Sequence, residues 1–138
     1  MRFLDTNIII RFLTGDDPAK ASDCYALFQR LGSGAESVTT SEVIVAEVVY
    51  VLSSRAQYGL GHADIRGRLL PLLAARGLRL PQKRVCLRAL DLYAAHPFLD
   101  YEDALSVAYM EHEGITELYS YDRGFDRVVG VQRVEPQP

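Results

Sequence analysis

The sequence predicts an α/β domain in which a mainly parallel sheet is flanked by helices. Three observations carry that expectation. Short apolar runs suited to buried strands alternate with longer segments of helical spacing, Gly and Pro mark the junctions, and two acids, Asp5 and Asp122, stand where apolar strands end. In open sheets of this kind ligands bind beyond the carboxyl ends of the strands. No internal repeat or low-complexity tract interrupts the chain, so residues 1–138 are expected to form one domain.

Arg2 to Asp5 is expected to be a short strand that runs through Thr6-Asn7 into a helix carrying Ile8, Ile9, Ile10, Phe12 and Leu13. Gly15-Asp16-Asp17-Pro18 breaks the chain and starts a second helix from Ala19 to about Leu31, which Gly32-Ser33-Gly34 ends. Glu36 to Thr39 reads as a strand. Thr40 or Ser41 then caps a helix to Leu52 or Ser53; its valines would suit a strand, but length and cap favour the helix.

Tyr58-Gly59-Leu60-Gly61 leads to a helix from near His62, with Ile65, Leu69, Leu72 and Leu73 at helical spacing and Pro71 expected to kink or split it. Leu78-Arg79-Leu80 fits a short strand, and Gln82 to Ala95 an amphipathic helix stopped by His96-Pro97. Asp100 can cap a helix through Glu113, ended by Gly114, before a strand from Glu117 to Tyr121. The tail Pro136-Gln137-Pro138 is expected to fray.

With 49% hydrophobic and 24% charged residues, the composition is that of a globular protein, and no stretch approaches the ~20 apolar residues of a membrane span. Asp5 and Arg11 interrupt the apolar start and no small-residue cleavage site follows, so export is not expected. Cys24 and Cys86 lack any metal-ligand spacing and read as reduced core thiols, in keeping with a cytoplasmic setting. The net charge of −3 is low for a protein that meets phosphate, but 13 of the 15 basic residues are arginine, and acids that take up cations would reverse the charge facing a substrate.

Four acids carry the chemistry. Glu47 sits among Val43, Ile44, Val45, Ala46, Val48, Val49, Val51 and Leu52 with no basic residue within a helical turn; a buried carboxylate there needs a cation from elsewhere, whereas a helix edge would leave it in solvent. Asp103 lies in the first turn of its helix, where a carboxylate is favoured by the helix dipole, but Asp100 already supplies the cap and leaves Asp103 free to point above the sheet. Asp5 and Asp122 alone could be caps or turn residues. Together, carboxylates ~5 Å apart at an effective dielectric of ~20 repel by about 3 kcal/mol a pair, so such a cluster calls for bound cations or raised pKa values. All-oxygen ligands select hard ions, Mg²⁺ or Mn²⁺, and those ions serve phosphodiester hydrolysis.

Leu4-Asp5-Thr6-Asn7, Val45-Ala46-Glu47 after a Thr-Thr-Ser cap, Asp100-Tyr101-Glu102-Asp103-Ala104 and Tyr121-Asp122-Arg123-Gly124-Phe125-Asp126 together resemble the PIN-domain ribonucleases, specifically the VapC-type toxins of toxin–antitoxin pairs. The resemblance runs the length of the chain. It implies a PIN-like three-layer sandwich with a parallel sheet of about five strands between helices, usually dimeric. It also implies Mg²⁺- or Mn²⁺-dependent endonucleolytic cleavage of RNA, restrained by a small antitoxin. Asp5, Glu47, Asp103 and Asp122 would then be the catalytic and metal-binding cluster, with Thr6 and Asn7 at its rim; Asp126, one turn further, reads as a surface acid.

Three other readings are weaker. A histidine acid–base route fails on geometry, since His112 lies roughly 13 Å along the helix from Asp103 and His62 and His96 flank other helices. A receiver-type signalling domain needs a lysine after a late strand, and the chain has only Lys20 and Lys83. A catalytically silent PIN-like domain would be expected to lack one of the four acids, and none is missing.

Overall fold

The computed structural model describes residues 1–138. β1 (Arg2–Phe3) leads into α1 (Thr6–Thr14), and α2 (Pro18–Ser33) follows with Pro18 in its first turn and Asp17 as its cap. β2 (Val38–Thr39) precedes α3 (Glu42–Ser53), α4 (His62–Leu73) precedes β3 (Leu78–Arg79), and α5 (Lys83–Ala95) packs on α6 (Tyr101–Glu113). β4 (Glu117–Tyr119), a 3₁₀ turn (Arg123–Arg127) and β5 (Gln132–Val134) complete the chain.

Every strand pairing is parallel. β1 pairs with β2 in the register Arg2 to Val38, and β2 with β3 in the register Val38 to Leu78. The five strands divide into a three-stranded sheet, β1-β2-β3, and a separate β4-β5 pair. Both bring their carboxyl ends, at Leu4-Asp5 and Ser120-Asp122, into the junctions with the helical turns that follow.

One cluster of 30 buried residues draws on all six helices, with Val45, Val48 and Leu52 of α3, Leu90 of α5 and Ala104 of α6 at its centre. Phe125 and Val128 tie the 3₁₀ turn into it. Cys24 and Cys86 are free, buried thiols, as their isolation in the sequence implied. Gly77 is required by contact rather than by φ. A Cβ there would stand 2.1 Å from the Glu36 carbonyl oxygen, because the backbone passes between the end of α2 and β2 to start β3.

Two expectations need correction. Pro71 neither ends nor splits α4; it lies on the exposed side near the end of an unbroken helix, where one lost hydrogen bond is tolerated. β5 was not anticipated: Gln132-Arg133-Val134 alternates weakly and carries too little apolar surface to signal a strand. Gln82 stands outside α5 as its cap, in the left-handed conformation at φ 56°.

Candidate active site

Leu4 follows β1, and its carbonyl accepts a hydrogen bond from the buried Thr40 hydroxyl at 2.9 Å, so the ends of β1 and β2 are clamped together. Thr40 is thereby committed to the sheet, and the cap of α3 is Ser41, which accepts from the Ile44 amide. This clamp sets two acids side by side. Asp5 occupies the cap position of α1 yet its carboxylate caps nothing, leaving it free and exposed. Thr6, almost fully buried, donates its hydroxyl to Glu47 Oε2 at 2.8 Å.

Asp5, Thr6 and Glu47 line one open depression of about 310 Å³, together with Asn7, Arg11 and Tyr58. Glu47 is exposed, which corrects the expectation of a carboxylate buried in an apolar face. Two of its neighbours one turn away are themselves in solvent, Val43 at 75% and Tyr50 at 67% exposure, while Ile44 and Val51 are half-buried against the core. α3 carries more apolar side chains than the core uses, and the sequence alone does not separate the two sets.

The other two acids gather at the start of α6. Asp100 caps the helix by accepting from the Asp103 amide at 2.8 Å, so the Asp103 carboxylate is free of that duty, as the sequence suggested. Partial burial pushes the Asp103 carboxyl up to about 6, and the like charges of Asp100 and then Asp122 push the same way. Asp122 follows β4 and accepts from the Gly124 amide at 2.9 Å, so it also caps the 3₁₀ turn.

α3 relates the two groups. Tyr109, late in α6, donates to Glu42 at the start of α3. α3 and α6 are in contact along this side. As the side chains stand, no three Asp, Glu, His or Cys residues are close enough to hold one ion between them. The acids form an Asp5–Glu47 pair and an Asp103–Asp122 pair, the latter joined by Asp100.

The remaining titratable candidates are structural. Nε2 of His62 lies 2.7 Å from the Leu99 carbonyl and its ring stacks on Tyr93, and His96 Nδ1 bonds the Leu92 carbonyl. Asp126 pairs with Arg133 at 2.9 Å, the surface role expected of it. Lys83 donates to the Ala75 and Leu78 carbonyls between α4 and β3. Arg11 escaped the sequence reading; the available signal was its place four residues after Asn7, on the same helical face.

A helix-flanked parallel sheet with carboxylates beyond its strand ends places polar groups where open α/β sheets bind their ligands, and the family model for the PIN domain matches residues 2–131. The chain belongs to the PIN-domain family. It is 29% identical to a VapC ribonuclease of Mycobacterium bovis, over 97% of this chain and 99% of the relative. The same figures hold for Ribonuclease VapC13 of Mycobacterium tuberculosis.

Proposed function

We propose that this protein is an endoribonuclease of the VapC type, the toxin of a toxin–antitoxin pair, which hydrolyses RNA phosphodiester bonds with Mg²⁺ or Mn²⁺. The observation that supports the proposal is that Asp5 and Asp122 follow strands, Asp103 stands in the first turn of α6 and Glu47 lies in the middle of α3, in a PIN domain whose relatives are named ribonucleases. The donor set suits a hard divalent ion: every candidate ligand is a carboxylate, and the crowding of like charge around Asp103 is what a bound cation relieves.

Asp5, Glu47, Asp103 and Asp122 would hold the ion, which when bound supplies a water of lowered pKa and neutralises charge on the phosphate. The chain's own contribution is positional. Thr6 fixes the Glu47 carboxylate, the Thr40 clamp fixes the strand end that carries Asp5, and Asp100 takes the cap so that Asp103 remains a free ligand.

No helix is long and apolar enough to cross a membrane, which fits a cytoplasmic protein meeting RNA. Val43 and Tyr50 flank Glu47 one turn away on either side and are strongly exposed. They offer an apolar seat for a helix of a small antitoxin beside the acids, with a homodimer as the expected assembly of the toxin itself.

Incubation of the purified protein with structured RNA tests the reading. Cleavage is expected in Mg²⁺ or Mn²⁺, and its loss in chelator. Asp5→Asn, which keeps shape while removing charge, is expected to lower cleavage by orders of magnitude with the circular dichroism unchanged. Full cleavage in chelator, or by Asp5→Asn, would overturn the metal mechanism, and RNA binding without cleavage by the native protein would leave a binding-only domain.

A further inference from the structure

We infer that Arg11 is a substrate-binding residue whose guanidinium takes an RNA backbone phosphate beside the scissile one, with Asp16 and Tyr58 as its positioning residues and Lys20 as the next cation along the strand. The inference rests on the ribonuclease reading above and deepens it by giving the substrate a path.

Arg11 lines the same depression as Asp5 and Glu47. Its Nη1 donates to Asp16 Oδ1 at 2.9 Å, and the Tyr58 hydroxyl donates to the other oxygen, Oδ2, of the same carboxylate. Asp16 is thus held from two sides and cannot swing with the arginine. Only one guanidinium N–H is used in this way, so the rest of the planar fork stays open, and the side chain retains 35% exposure.

Stability does not account for the arrangement, because an exposed ion pair of this kind contributes little. Orientation does. A pre-set guanidinium with free donors matches the paired oxygens of a phosphate without further loss of side-chain freedom. Arg11 is also not the partner of the site's own acids: Glu47 is satisfied by Thr6 and Asp5 caps nothing.

A second depression, of about 330 Å³, begins where the first ends. Asn7 and Arg11 form the shared rim, and Lys20 lies on the far side with 67% of its side chain exposed and only a long, 3.8 Å pairing to Asp17. An extended strand leaving Asp5 and Glu47 along this face therefore meets Arg11 first and Lys20 next, with Asp23 the one acid lining the second depression.

The test measures binding of a fluorescent unpaired RNA by anisotropy across a salt series, in Mg²⁺ and in the Asp5→Asn background. Arg11→Gln is expected to weaken binding roughly tenfold at 0.1 M salt and to lower the slope of log K against log salt by about 0.7, the value for one lost phosphate contact on a single strand. Arg11→Lys should keep the slope and lose part of the affinity. Lys20→Gln should lower the slope in the same way with a smaller loss, and Tyr58→Phe should weaken binding two- to threefold at unchanged slope. An unchanged slope in both Arg11→Gln and Lys20→Gln overturns the inference, even if Arg11→Gln melts earlier, because a merely structural arginine would move only the melt. Cleavage by the Asp5→Asn background, read on a gel of the same samples, would instead overturn the ribonuclease mechanism on which the path is built.

Discussion

Glu47 takes a hydrogen bond from Thr6 and shares its depression with Arg11, whereas the charges that Asp103 feels are those of other acids, Asp100 and Asp122. The first pair of site acids is anchored to the three-stranded sheet through Thr6 and the Thr40 clamp. The second spans α6 and the separate β4-β5 unit, which reaches the core chiefly through Phe125 and Val128. The difference teaches that the two halves contribute differently: one is a pre-set anchor, the other a strained set of carboxylates whose repulsion a cation would discharge.

Cleavage is where breaking either half should have its largest effect. Asp103→Asn and Glu47→Gln are each expected to lose at least about a hundredfold in kcat, since both acids are asked to serve one transition state. A steady-state assay in saturating Mg²⁺ checks this, and a loss confined to one half would show that the halves do not act together.

Stability separates them by sign. The folded Asp103 carboxyl is raised to about 6, so it binds its proton more tightly than in the unfolded chain. Its contribution is fully present below the unfolded value and is lost as pH rises through about 6. Metal-free native protein should therefore be less stable at pH 7.5 than this group allows at pH 4, by about 1–2 kcal/mol once solvent screening is counted. Asp103→Asn should raise the metal-free Tm at pH 7.5 by roughly 3 °C and narrow the gain that Mg²⁺ confers. A Tm lowered equally with and without Mg²⁺ would make Asp103 a helix-dipole residue only.

Thr6→Val sharpens the anchored half. Losing one hydrogen bond to a carboxylate that can still reach water should cost about 1 kcal/mol of stability or less, and loosening Glu47 should lower cleavage about tenfold, far less than losing the acid. Thermal melts and kcat measured together decide it; native kcat in Thr6→Val would remove Thr6 from the positioning set.

Much of this is legible in the amino-acid sequence. Ser41, Asp100 and Gly114 fixed the bounds of α3 and α6 because capping is local chemistry. The four acids stand out in the sequence as candidates because carboxylates at strand ends and in a first turn are hard to explain together as caps. Glu47's exposure was not legible, since an apolar helix face looks the same whether Val43 and Tyr50 meet the core or the solvent. Nor was the role of Arg11, because the Asp16 and Tyr58 contacts that orient it join residues up to 42 positions apart.

The central claim is that two acid pairs, which do not yet share an ion's coordination as they stand, form one metal site. Mn²⁺ binding by isothermal titration to the native protein, to Glu47→Gln, to Asp103→Asn and to the double variant tests it most directly. One shared site predicts that each single change weakens the same binding event and that the double change costs much less than the sum of the two. Additive losses, or two independent binding events each abolished by only one of the changes, would contradict it.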